Sequence, residues 1–480
     1  MSLLIEKGTL VLENEVRQTD LLVEGERILA IGEKAANLAT QDPHCDVLDA
    51  EGLIVLPGAV DGHTHLDMPF LDFASTDDFF TGTRAALLGG TTCIVDYAEQ
   101  GETLADGLET WKAKAEGMAV ADYGFHMTIK HLSDEVIEEM GAMVQAGVVT
   151  FKVFMAYPGR MMLQDDEIER VMRRAAELGA GVNIHAEDGI LIEDLIRRTK
   201  RAKATDPIDH ALTRPSVGEA RAVDRAIALV RTTGAQLVVV HMSCAQAVDL
   251  VADARKDGLP VYGETCPQYL WLEQRKLKAP GLQGAVYICS PPLRDVTHMH
   301  ALWKGLAAGT VSMVGTDHCP FDLIGQKDRG LRPDGSFDFT LVPGGLPGIE
   351  TRLLLLYAGG VLTGRFDLVQ LARVSATQPA GILGLYPEKG AIRVGADADL
   401  VVLDPDGLTS LDAEDLHMRV DHSPYEGMRV EGSIEFVFSR GELVVESRQF
   451  KGTRGRGKYI ARRPPAAAGP LKEPSASPVS

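Results

Sequence analysis

Several things are scarce in this 480-residue chain, and each scarcity closes off a class of function. No apolar run is long enough to span a bilayer. The first residues, Met1-Ser2-Leu3-Leu4-Ile5-Glu6, meet a charge too early for a secretory leader. A membrane partner is therefore not expected. Basic charge is in deficit: 48 Lys and Arg against 68 Asp and Glu give a net charge of −20. Such a surface repels nucleic acid and anionic lipid. The six cysteines are scattered, with no CxxC pair. In a chain of this length they read as reduced thiols of a cytoplasmic protein. No fixed-period repeat points to a solenoid.

Hydrophobic residues make up 45% of the chain, ample for a large core, and the length suits two or three domains. Residues 1–56 alternate short apolar strands with turns and read as all-β. From 57 to 389 the pattern changes to strand-like segments alternating with helical ones, such as 166–178 and 218–231. Strands are expected at 57–63, 91–97, 123–128, 149–155, 182–187, 237–242, 260–265 and 311–317. Eight β-then-α units predict an α/β fold, a (β/α)8 barrel. Residues 390–463 return to strands, including 398–403 and 434–438. The simplest arrangement is a small β-sandwich domain built from both chain ends, flanking the barrel. Residues 464–480 are rich in Pro, Ala and Ser and read as a flexible tail.

Barrel chemistry sits at the C-terminal ends of the strands. Strand 1 ends in Asp61-Gly62-His63-Thr64-His65. In an extended chain, i and i+2 share a face, so His63 and His65 can aim both imidazoles at one point. Strand 4 offers Lys152, strand 5 His185, strand 6 His241 and strand 8 Asp317. A lone strand-end histidine is more often a hydrogen-bonded packing residue. An ordered set at one level of one fold suits zinc or a similar borderline metal. Lys152 lies among Phe151, Val153, Phe154 and Met155. Burial there would lower its pKa, and a neutral amine can add carbon dioxide to give a carbamate that bridges two cations. The alternative is a lysine that snorkels to water.

Other candidates read as structural. His298 and His300 fall on a helical stretch, where i and i+2 do not share a face. His318 should point away from Asp317, and His126 reads as a core residue. Cys319 lies beside the site with little reason to ligate. The basic stretch 451–463 reads as a solvated or subunit-contact surface.

Five segments carry a family resemblance: 57–65 (PGAVDGHTH), 151–157 (FKVFMAY), 185–187 (HAE), 289–294 (CSPPLR) and 314–321 (VGTDHCPF). Over residues 3–463 the chain resembles the dihydropyrimidinase/D-hydantoinase family of the amidohydrolase superfamily. The resemblance implies two divalent metal ions, expected to be Zn2+. His63, His65 and Asp317 would hold one, His185 and His241 the other, with a carboxylated Lys152 between them. It also implies Tyr157 near the substrate carbonyl, ring-amide contacts from the backbone at Ser290 and just before Gly345, and a homotetramer or homodimer. One position departs: Pro343-Gly344-Gly345 replaces the family's usual Pro-Asn-Gly. Gly344 can still offer its backbone N–H and C=O.

The expected reaction is ring opening of a small cyclic ureide, a 5,6-dihydropyrimidine or 5-substituted hydantoin, to an N-carbamoyl amino acid. Asp317 would move the proton and Tyr157 would donate to the oxyanion. Two apolar loops, 66–73 and 154–162, would shape the pocket through Leu66, Met68, Phe70, Phe154, Met161 and Met162. Alternatives are another cyclic amidohydrolase (allantoinase or dihydroorotase) and a non-catalytic scaffold like the collapsin-response-mediator proteins. A dihydroorotase would want an arginine for the substrate carboxylate, and the apolar loops supply only Arg160. A scaffold would lack much of the ligand set, which is complete here.

Overall fold

A computed structural model describes residues 2–203 and 205–464. Eight parallel strands form one sheet: β1 (Ala59–Thr64), β2 (Thr91–Glu99), β3 (Asp122–Thr128), β4 (Thr150–Phe154), β5 (Gly181–His185), β6 (Gln236–Val239), β7 (Val261–Thr265) and β8 (Val311–Val314). Their spatial order follows the chain, as a (β/α)8 barrel requires. Nearly every residue of these strands is buried, polar ones included, because both faces of the sheet are covered. The helix Asp165–Glu177 shows why its sequence packs outside the sheet. Ile168, Val171, Met172 and Ala175 make one buried stripe, and three acids stand in its first turn, where the helix dipole favours them.

All eight expected strands are present. β6 and β8 stop three residues earlier than their sequences suggest. His241 and Asp317 adopt φ of 42° and 52°, which takes the chain out of the ladder.

The seam between β8 and β1 carries no regular ladder, and a short backbone bridge together with two side chains closes it. Thr64 bridges His318, and the His65 amide donates to the His318 carbonyl at 2.9 Å. Asp61 accepts from the backbone amides of His63 and Thr316, both at 3.1 Å, and from the Thr316 hydroxyl at 2.6 Å. Fully buried Arg352 donates to the carbonyls of Val60 (2.9 Å) and Val314 (2.7 Å). The seam is thus stitched on both sides of His63 and Asp317.

A second sheet of nine strands, mostly antiparallel, takes strands from both chain ends. The ends meet where Ile54–Pro57 pairs antiparallel with Leu400–Ser410. The expected tail lies outside the described residues, apart from Pro464. No helix among the described residues is long and apolar enough to cross a membrane.

The basic stretch 451–463 departs from expectation. Arg462 is buried, giving N–H bonds to the Leu383 carbonyl (3.1 Å), the Thr150 hydroxyl (2.8 Å) and the Phe125 carbonyl. Arg456 bonds the carbonyls of Val120 (3.0 Å) and Ser439 (2.8 Å). Guanidinium groups satisfy backbone acceptors here, so this arm is in part a fastening of the barrel rather than a solvated face.

Candidate active site

The six ligand-type residues expected from sequence gather at the barrel mouth. Asp317 Oδ1 lies 3.1 Å from His63 Nε2 and 3.3 Å from His65 Nε2. Ligand atoms of all three fall within 4.8 Å of one another. His63 Nε2 is buried and lacks the alignment of a hydrogen bond despite that short distance. Beside them, His185 Nδ1 faces His241 Nε2 at 2.9 Å. Lys152 is buried among them. Its ammonium lies over the rings of Tyr97 (4.7 Å) and Phe154 (5.1 Å), with no carboxylate within ion-pair distance among the described residues.

The electrostatics are those of a dry site. Burial pulls His63 down, but Glu264 and Asp317 outweigh it and raise it to about 9. Burial lowers His65 to about 4 and Lys152 to about 8. It also pushes His185 and His241 below the usual imidazole range. Burial raises Asp317, yet His63 and then His65 hold its carboxyl well below the usual range. A pKa near 8 leaves far more of Lys152 as free amine at neutral pH than an ordinary lysine would have. The neutral imidazoles of His65, His185 and His241, the ionised Asp317 and Lys152 with its lowered pKa form a donor set that fits divalent borderline metals; His63, held protonated by Glu264 and Asp317, would give up its unaligned Nε2 proton to join it.

Several residues that hold this set are not obvious from the sequence. Glu264, near the end of β7, accepts a hydrogen bond from His63 Nδ1 at 2.5 Å and from the His241 amide at 3.1 Å. One carboxylate therefore orients ligands of both halves, the usual role of a group hydrogen-bonded behind a metal-binding histidine. Its other oxygen is buried without a partner. Tyr97 stacks on His65 and His126 and accepts from Asn183 at 2.9 Å. Glu187 bonds His185 Nε2 at 2.9 Å and Arg214 at 2.5 Å. Burial opposes its ionisation, but Arg214 and His185 bring it to about 2. A polar residue buried next to an expected ligand was the available signal for Glu187. Arg214 sits in a loop with no periodicity to mark it.

The ligands open onto a cavity of about 490 Å³. Tyr157, Ser290 and Gly344 line it, as do Met68, Phe70, Phe154 and Met161. Tyr157 has φ of 66°, and the Arg214 guanidinium lies 5.4 Å from its ring centre. Burial keeps the phenol protonated to higher pH than usual. Two expectations about the apolar lining fail. Leu66 does not reach the cavity: it is fully buried, and its methyl groups occupy the space that a side chain at Gly82 would need. Met162 is also off the lining and packs over Gly189. Gly344 is not at a positive φ, and an added Cβ would come no nearer than 3.6 Å to Ser290 Oγ. Its backbone thus tolerates a side chain.

The histidines read as structural have partners elsewhere. His318 bonds Asp77 at 3.0 Å, His126 bonds the Gly62 carbonyl at 3.0 Å, and His298 accepts from the Ala245 amide at 3.0 Å. Arg160 is not the sole arginine at the cavity, since Arg214 lines it too. Glu187 already neutralises Arg214.

The amidohydrolase family model matches residues 54–444. A D-hydantoinase of Geobacillus stearothermophilus is 46% identical over 465 residues, covering 96% of this chain and 97% of the relative. A D-hydantoinase of Streptomyces coelicolor is 45% identical, covering 95% and 97%. The solved dihydropyrimidinase of Brevibacillus agri NCHU1002 superposes with a TM-score of 0.92 at 44% identity, covering 96% and 99%. The chain belongs to the amidohydrolase family, among its hydantoinases and dihydropyrimidinases.

Proposed function

We propose that this chain hydrolyses cyclic ureides, opening 5,6-dihydropyrimidines or 5-substituted hydantoins to N-carbamoyl amino acids. The observation that carries the proposal is the convergence of His63, His65 and Asp317 on one point beside Lys152, at the floor of a cavity with an apolar rim. The protein is a cyclic-amide hydrolase of its family. Its relatives are named D-hydantoinases, which makes D-configured 5-substituted hydantoins the first substrates to assay.

In this reading His63, His65 and Asp317 would hold one divalent cation and His185 and His241 a second, with a carboxylated Lys152 as a further ligand. Zinc suits the imidazole-rich set. When bound, such cations polarise a carbonyl and lower the pKa of water from 15.7 to about 7. Asp317 accepts a proton from the attacking water. It returns that proton to the ring nitrogen as the carbon–nitrogen bond breaks, so the products carry one new N–H and one new carboxyl group, which releases its proton to solvent at neutral pH. Tyr157 donates its phenolic hydrogen to the carbonyl oxygen as negative charge gathers there. Backbone groups at Ser290 and Gly344 hold the ring amide. Phe70, Phe154, Met68 and Met161 receive an apolar 5-substituent. The same proposal includes a homotetramer or homodimer and a cytoplasmic location.

A dihydroorotase would need a cation for the substrate carboxylate; Arg214 is already paired with Glu187, which leaves Arg160 at the cavity as the one to test. Assaying dihydrouracil, hydantoin, 5-phenylhydantoin, allantoin and dihydroorotate side by side tests the proposal. Turnover of the first three, with 5-phenylhydantoin at least as fast as hydantoin, is expected. Preference for allantoin or dihydroorotate would overturn it.

A further inference from the structure

Lys327 opens a short helical turn, Lys327–Gly330, and its side chain is fully buried. No carboxylate lies within ion-pair distance of its Nζ among the described residues. Instead, Nζ donates to two carbonyls, Ile288 and Pro343, each at 3.2 Å. Around it stand groups that carry no negative charge. Cys289 is a thiol that burial raises to about 12. His210 and His422 are imidazoles that burial keeps neutral.

Burying an amine without a counter-ion is expensive, and this chain does so here as well as at Lys152. The two carbonyls belong to the two segments that carry Ser290 and Gly344 to the cavity. Ile288 is two residues before Ser290, and Pro343 directly precedes Gly344. The same segments are tied once more by the Gly345 amide to the Ile288 carbonyl at 3.0 Å. His210 Nε2 reaches the Cys289 carbonyl at 2.8 Å. Ammonium and free amine both have the two N–H groups that these carbonyls need.

We propose that Lys327 is a positioning residue for ring-amide recognition. It fixes the spacing between the Ser290 and Gly344 backbones from behind, without touching substrate or metal ligands. This rests on the cyclic-ureide reading above. An interaction made equally in the bound substrate and in the transition state lowers KM and leaves kcat alone.

The test is the Lys327→Met holoenzyme, with hydantoin as substrate and acetohydroxamate as a competitor that binds metal and has no ring. KM for hydantoin is expected to rise roughly tenfold, as befits two lost hydrogen bonds, with kcat within about threefold. Metal content and the acetohydroxamate Ki should match wild type. If that variant fails to fold, Lys327→Gln serves, because its amide nitrogen stops one bond short of Nζ; the same pattern is expected. An unchanged KM, or a parallel loss of KM, Ki and metal, would overturn the proposal. Wild-type turnover with an unchanged KM in the variant removes only this inference. No turnover by wild type removes the function and this inference together.

Discussion

Two clusters of three ligand-type side chains sit at opposite ends of the barrel. At the mouth are His63, His65 and Asp317; at the other end, where β3 begins, are Asp122, Asp397 and Asp399. Both sets bring their ligand atoms within 4.8 Å of one another. The difference is what fills the space between them. Lys389 Nζ stands among the three aspartates, 2.6 Å from Asp122 and 2.8 Å from each of the others. Arg440 and Arg27 add further positive charge at 3.3 and 2.6 Å. That end is a closed ionic knot joining the barrel to the second sheet. The mouth has no such occupant: Lys152 rests on aromatic rings instead, and His63 Nε2 points at no aligned partner. Convergence of ligands alone therefore does not make a metal site. At the mouth no lysine or arginine stands in ion-pair contact with Asp317 among the described residues, and His63 Nε2 and His241 Nδ1 are buried without an aligned partner, which suits the proposed metal site. His241, Asp317 and Tyr157 at the mouth all have positive φ, and in the knot Arg440 does too, so strain marks both ends.

Substitutions can break or sharpen this contrast. The largest effect is expected for Lys152→Ala, which should lose bound metal and more than about 10²-fold in activity, beyond what loss of an outer partner costs. Metal analysis and hydantoin assays check it, and a short-chain carboxylate should restore part of both. At the opposite end, Lys389→Met leaves three buried carboxylates short of a cation. It should cost about 3–5 kcal/mol of stability, read by denaturant unfolding, with metal content unchanged. If the metal were lost there too, the two ends would not be separable in function. Glu264→Gln keeps the shape but weakens the hold on His63 and His241. Metal affinity should fall about 10- to 100-fold in competition with a chelator. The smallest effect belongs to Gly344→Asn. With space for a Cβ and no positive φ, its melting temperature and hydantoin KM should stay near wild type. A large KM change would mean that the missing side chain matters to the ring.

Much of the mouth was legible because barrel geometry turns strand ends into a list. Once eight strands are counted, His63, Lys152, His185, His241 and Asp317 fall at one level. What stayed hidden depends on contacts between distant segments. Glu264 sits in Val261-Tyr262-Gly263-Glu264-Thr265, and nothing local says that its carboxylate reaches His63, 201 positions away. Leu66 reads as a pocket residue because its loop is apolar, yet the side chain turns inward over Gly82. Arg456 and Arg462 look like surface charge by composition, but the carbonyls that they satisfy include those of Val120 and Phe125 on the barrel side and Ser439 on the second sheet. β6 and β8 end before their apolar pattern does, because positive φ at a histidine or aspartate has no dependable sequence mark.

The most direct measurement is the metal content of the purified wild-type chain, set against its rate of hydantoin opening before and after exhaustive chelation. Two equivalents of divalent cation per chain are expected, with activity vanishing on chelation and returning on re-addition of zinc. A metal-free protein that still opens the ring at full rate would contradict the proposed role of the barrel mouth.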